Sequence, residues 1–203
     1  MNQRLAAIAE KIRALEDELE AEIAERRAEL RFTIHERRVR FESGIRRRHR
    51  ELRTRLSRYV LGARPLVVLT APVIYSVALP LLLLDLVASA YQAICFPVYG
   101  IPKVDRKRYL AFDRRHLAYL NALEKVHCEY CSYANGLLAY VSEIAGRTEQ
   151  YWCPIKHAIR VRATHPHYRN FVDYGDAEAY REELAELRRA LRELEDPDRP
   201  TSA

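Results

Sequence analysis

Residues 65–99 read PLVVLTAPVIYSVALPLLLLDLVASAYQAICFPVY, and no charged residue occurs from Leu66 to Leu84. A run of that length is what a membrane helix requires. A soluble fold can hide such a segment only as a fully wrapped core helix, because the segment is apolar on every face. Pro72 and Pro80 kink or break a helix at those positions. Asp85 interrupts the run, and Leu86 to Val98 continues it more mildly. Tyr91, Phe96 and Tyr99 there suit a membrane–water interface.

The flanks of this segment constrain its orientation. Arg46, Arg47, Arg48, Arg50, Arg53, Arg55, Arg58 and Arg64 precede it, and Lys103, Arg106, Lys107, Arg108, Arg114 and Arg115 follow it. Cationic flanks stay in the cytoplasm, so both ends belong on the same side. A re-entrant hairpin turning near Pro80, with arms of about 15 residues each, satisfies both flanks and is preferred. A single span strands one basic cluster on the wrong side. The formal net charge of +6 adds to the case for a lipid bilayer with anionic headgroups as partner. No recognised nucleic-acid motif accompanies the arginines, so no specific nucleic acid is expected. The start, MNQRLAAIAEKIRALEDELE, is charged and periodic and is not a secretory signal. These features point to the cytoplasmic face of a membrane.

Residues 1–63 carry a different pattern. Ile8, Leu19, Leu30, Phe41 and Leu52 recur every eleven residues, as do Ile12, Ile23, Ile34, Ile45 and Leu56. An eleven-residue repeat corresponds to about 3.67 residues per turn, close to the relaxed α-helix. One long coiled-coil-like helix is expected, bent if anywhere at Gly44, with its narrow stripe paired in a homo-oligomer.

Beyond the membrane segment (64–100), residues 101–170 read as a small helical domain and 171–203 as an amphipathic helix and tail. Helical spacing runs through Leu110, Leu117, Leu120, Glu124 and His127, and Gly136 is placed as a left-handed helix stop. Residues 147–162, RTEQYWCPIKHAIRVR, read as at least partly helical, with a start at Pro154. Asp176 is expected to cap the final helix, whose stripe of Tyr180, Leu184, Leu187, Leu191 and Leu194 is offered to the N-terminal helix and stops at Asp196–Pro197.

The chemistry-bearing residues lie in this third region. Cys128-x-x-Cys131 and Cys153-x-x-x-His157 together form a Cys3His set suited to structural zinc. Four cysteines among so many charges do not suggest a disulfide framework. An iron or iron–sulfur centre at the same residues is the alternative, although such clusters prefer four thiolates. Buried, inert thiols are the third possibility. Convergence requires the chain to double back, with breaks expected at both Gly136 and Gly146, since a continuous helix would hold Cys131 and Cys153 about 30 Å apart. Glu124 and His127 have the spacing of one half of a di-iron motif, but no second half follows. Together with Glu149 they suit supporting positions around the metal. His165 and His167, flanking Pro166, are expected to be exposed.

The segments LEKVHCEYCSYANG and RTEQYWCPIKH resemble a family of uncharacterised bacterial membrane-associated proteins. The resemblance covers the middle and C-terminal part of the chain. It implies association with a bacterial inner membrane and brings no catalytic residues. The expected whole is an all-α, membrane-anchored scaffold or adaptor with a zinc-clasped domain and a self-associating rod, rather than an enzyme. The rival is a membrane-bound oxidoreductase with iron at the same residues.

Overall fold

The computed structural model describes residues 3–29, 32–35, 38–41 and 43–194. Leu30 of the eleven-residue series and the Asp196–Pro197 stop lie outside the described residues. The chain is mostly helical, with one long apolar helix and one short hairpin.

The expected rod is not a single helix. Helix α1 (Gln3–Glu29) is followed by strands β1 (Phe32–His35) and β2 (Arg38–Phe41), then by α2 (Ser43–Glu51) and α3 (Leu56–Leu61). The strands pair antiparallel, with Phe32 opposite Phe41 and Ile34 opposite Val39. Phe32, Thr33, Ile34, Val39 and Phe41 are β-branched or aromatic, and such side chains favour the pleated backbone over the helix. The eleven-residue series could not reveal this, because Ile34 and Phe41 also fit the alternation of a strand. Gly44, the expected bend, lies within α2.

Helices α4 (Pro65–Ser76) and α5 (Ala78–Tyr99) are separated only by Val77. Val77 keeps right-handed helical angles, φ −63° and ψ −19°. Pro80 has no N–H to offer the Ser76 carbonyl, so the ladder is interrupted there without the chain turning round. The hairpin expectation is therefore corrected to one interrupted helix of 35 residues. Gly100 ends it in the left-handed conformation, φ 68°, and the Ile101 N–H donates to the Phe96 carbonyl at 2.9 Å. That is the Schellman closure, which glycine makes without strain.

Helical structure expected from residue 105 onward begins only at α6 (Ala122–Trp152), after single 3-10 turns at Arg106–Arg108 and Arg114–His116. Asn121 and Glu124 form a reciprocal capping box at its start: each side chain accepts the other's backbone N–H, at 3.0 and 2.8 Å. Asp176 caps α7 (Ala177–Arg192) by accepting from the Ala179 N–H at 2.9 Å, as its position suggested.

The chain divides into two compact units. One comprises Met1–Ala63 with Asp113–Cys128, the other Arg64–Phe112 with Glu129–Ala203. In the first, the His49 ring meets Tyr119 edge-on at 5.2 Å and Tyr59 lies beside His127. In the second, α6 runs alongside α4–α5 in the same direction. Tyr130 meets Tyr75, Tyr133 meets Asp85, Tyr140 meets Ser89, and Tyr151 stacks on Tyr99. The core of this unit gathers Ala88, Phe96, Leu137, Tyr140, Ile144 and Leu191. Leu191 is fully buried there and Leu194 packs against it, so the end of the α7 stripe serves this core. Gln150 and Arg188 reinforce the joint by donating to the carbonyls of Leu187 and Tyr151.

Candidate functional site

The proposed metal ligands separate along α6. Cys128 and Cys131 sit one turn apart near its beginning, whereas Cys153 follows its last residue, Trp152. The helix passes unbroken through Gly136 and Gly146. At 1.5 Å per residue, Cys131 and Cys153 are thus about 30 Å apart, and Cys128, Cys131, Cys153 and His157 do not converge within one chain. Cys131 and Cys153 are exposed. His157 is engaged elsewhere: its backbone N–H donates to the Tyr168 hydroxyl at 2.6 Å and its ring stacks on Tyr168. Among the described residues no three His, Cys, Asp or Glu side chains are grouped as a metal site would need.

The two glycines fail as helix stops because they are close-approach positions. A Cβ on Gly136 would lie 2.5 Å from the Tyr109 carbonyl oxygen, and one on Gly146 would lie 2.6 Å from His165 Nδ1. Both are buried, and each gives up helix propensity to let another segment reach the helix backbone. A glycine in a helical pattern looks the same in sequence whether it ends the helix or admits a neighbour.

The residues expected around a metal have other partners. Glu124 belongs to the capping box, and His127 lies against the Tyr59 ring. Glu149 binds His165, with Oε2 and Nε2 2.8 Å apart. Nearly two turns earlier, Glu143 binds His167 at 2.9 Å and Arg147 at 2.8 Å. A carboxylate can only accept, so each imidazole directs an N–H at its glutamate. His165 and His167 are therefore largely buried, with side chains 11% exposed, which corrects the expectation that both face solvent. Burial pushes the Glu143 carboxyl up, but the hydrogen bonds and positive charges of His167 and Arg147 outweigh it and hold it at about 2.

This His–Glu clasp fastens the loop after α6. Its base is closed by a parallel bridge between Ile155 and Val172, with the Lys156 and Val172 N–H groups donating at 2.8 and 2.9 Å. Pro154 lies in this extended bridge and starts no helix. Sequence reading missed the clasp because nothing in a loop's residue types states which helix carboxylates it will reach.

The surface of α5 reverses the usual order. Its inward face carries Asp85, Ser89 and Gln92, at helical spacing on one side. Asp85 accepts from both Nε and a terminal nitrogen of Arg106, at 3.1 and 2.6 Å, and from the Tyr133 hydroxyl at 3.0 Å. Gln92 is buried. It accepts from the Val104 N–H at 2.9 Å and donates to the Tyr140 hydroxyl. The outward face carries Leu79, Leu82, Leu83, Leu86, Val87, Ile94 and Val98, each more than half exposed. Tyr91 and Phe96, expected at an interface, face inward: Phe96 is fully buried and Tyr91 bonds Thr148. In α4 the hydroxyls of Thr70 and Ser76 bond back to helix carbonyls at 2.7 to 3.1 Å, which satisfies their donors without water.

Comparison with protein-family models, with curated proteins and with solved structures finds no match.

Proposed function

We propose that the chain is a membrane-anchored scaffold whose apolar helix lies in the plane of the bilayer surface instead of crossing it. The carrying observation is α5, apolar outward and polar inward. Water cannot be the solvent such a face is built for, and seven exposed Leu, Val and Ile side chains gain on the order of 10 kcal/mol when transferred to lipid. Exposed apolar surface of this extent marks a membrane or partner contact.

Two relationships favour the in-plane arrangement. Residues on both sides of the apolar helix, Met1–Ala63 and Asp113–Cys128, belong to one compact unit. A crossing helix would also draw its neighbours into hydrocarbon. The chain between α5 and α6 contains Lys103, Arg106, Lys107, Arg108, Arg114 and Arg115, and α6 itself brings Glu129 and Glu143 alongside. Charges at that depth are costly. An in-plane helix keeps both basic flanks on the cytoplasmic side, which resolves the conflict that a span creates. The stripe of Ile8, Ile12, Leu15, Leu19 and Ile23 on α1 is exposed and supports self-association as the scaffold's second property.

Labelling from one side of sealed inner-membrane vesicles tests the arrangement. A cysteine placed at Ala21 and the native Cys131 and Cys153 should all react with an impermeant maleimide from the cytoplasmic side. Reaction of Ala21→Cys from the opposite side would establish a crossing helix and remove the in-plane reading. Extraction of the protein by alkaline carbonate would remove the membrane anchor altogether.

A further inference from the structure

Within the unit formed by Met1–Ala63 and Asp113–Cys128 lies a cleft of about 280 Å³ lined by Arg46, Arg50, Arg53, Arg115, His116 and Lys125. Arg46, Arg50 and Arg53 share one face because they follow each other at steps of four and three. The helical turn of α2 continues far enough for the Arg53 N–H to reach the Arg50 carbonyl at 3.2 Å. Arg115 and His116 come from the 3-10 turn before α6, and Lys125 from the first turn of α6. Among the described residues, no acidic side chain lines the cleft, and none of the four arginines or Lys125 is ion-paired.

Five cations around one small volume repel one another, and a concave wall of a single sign concentrates the field in the space between them. A folded chain keeps such an arrangement when an anion relieves it. Guanidinium groups match phosphate oxygens two at a time. One phosphate group carries about −1.5 to −2 charges and would leave most of this wall uncompensated. Two linked phosphates come closer to balance. An adjoining cleft of about 400 Å³ shares Arg46 and His116 and adds Arg40, Val39 and Phe41, so the space next to the cations has an apolar wall.

We infer that this cleft is a binding site for the diphosphate group of an organic ester, with the ester's apolar or planar part lying along Val39 and Phe41. The diphosphate belongs either to a soluble ester or to a membrane lipid with a diphosphate head. The inference stands apart from the in-plane anchor, and neither depends on the other.

The test is titration calorimetry on the full chain in mild detergent with inorganic pyrophosphate, with orthophosphate as comparator. Pyrophosphate should bind about tenfold or more tightly than orthophosphate, and R50E/R115E should weaken it by about tenfold or more. R160E/R162E, which makes the same charge change in the other unit, should leave it unaltered. Arg50→Gln and Arg115→Gln singly should each give a smaller loss, and circular dichroism establishes that every variant used is folded. Competition by neutral vesicles doped with a polyprenyl diphosphate assigns the group to a lipid. Undisturbed pyrophosphate binding in their presence assigns it to a soluble ester. Absence of pyrophosphate binding, or an equal loss in R160E/R162E, overturns the site.

Discussion

Asp85 and Arg106 form a two-armed ion pair in which the carboxylate side chain is 14% exposed and the guanidinium side chain 45%. The pair closes the uncharged run at the point where the helix begins to serve the core of its unit. Its asymmetry has a consequence for mutation. Arg106→Ala leaves a carboxylate enclosed without its cation, whereas Asp85→Asn leaves an arginine that water can reach. Arg106→Ala should cost about 2–4 kcal/mol and Asp85→Asn about 1–2 kcal/mol. Denaturant unfolding in detergent measures both, and the reverse ranking would show that the pair does not anchor this region.

Gly136 and Gly146 should respond differently to alanine. At Gly136 the obstacle is a backbone oxygen, which cannot swing aside, so Gly136→Ala should destabilise by about 1–3 kcal/mol despite alanine's better helix propensity. At Gly146 the obstacle is the His165 ring. Gly146→Ala should cost less globally but displace the ring from Glu149, visible as a changed imidazole resonance in NMR. A stabilised Gly136→Ala would mean that the Tyr109 segment does not approach the helix as described.

Acid should loosen the clasp through Glu143. Its folded carboxyl sits at about 2, against an ordinary value of 4.5. A depressed folded value stabilises the native state above pH 4.5, and that contribution falls away as the pH drops from there through about 2. After allowance for solvent screening it is on the order of 1–3 kcal/mol. Glu143→Gln should flatten this limb of the stability–pH curve. An unchanged acid limb in that variant would assign the dependence to other carboxylates.

Cys131 and Cys153, both exposed, should alkylate rapidly in the native chain, and a strong chelator should leave its unfolding midpoint unaltered. A chelator-induced loss of stability, with one zinc per chain released, would bring back convergence of the four donors, which a metal-linked fold requires.

Leu19→Glu on α1 should lower the mass of the detergent-solubilised particle measured by light scattering, if the exposed stripe joins copies of the chain. An unchanged mass would confine α1 to other partners.

Local chemistry made parts of this protein legible beforehand. The apolar run from Leu66, the capping aspartate at Asp176 and the predominance of helix follow from composition and spacing over a few neighbouring residues. The sequence also displayed the conflict of two basic flanks. Elsewhere a single pattern fitted two structures. Ile34 and Phe41 satisfy both an eleven-residue helical stripe and a strand, and neighbouring β-branched residues select the strand. Gly136 and Gly146 suit a helix end or a close approach, and only the arrival of Tyr109 and His165 makes them the latter. The cysteine–histidine set carries the same ambiguity. Its spacing describes what could meet if the chain reversed, and the packing of α6 against α5 keeps the chain straight. Residue order thus determined which segments avoid water and which begin or end helices, because those preferences act within a turn or two. Which polar groups were buried as partners, and which apolar face was left outward, was decided by contacts between segments tens of residues apart.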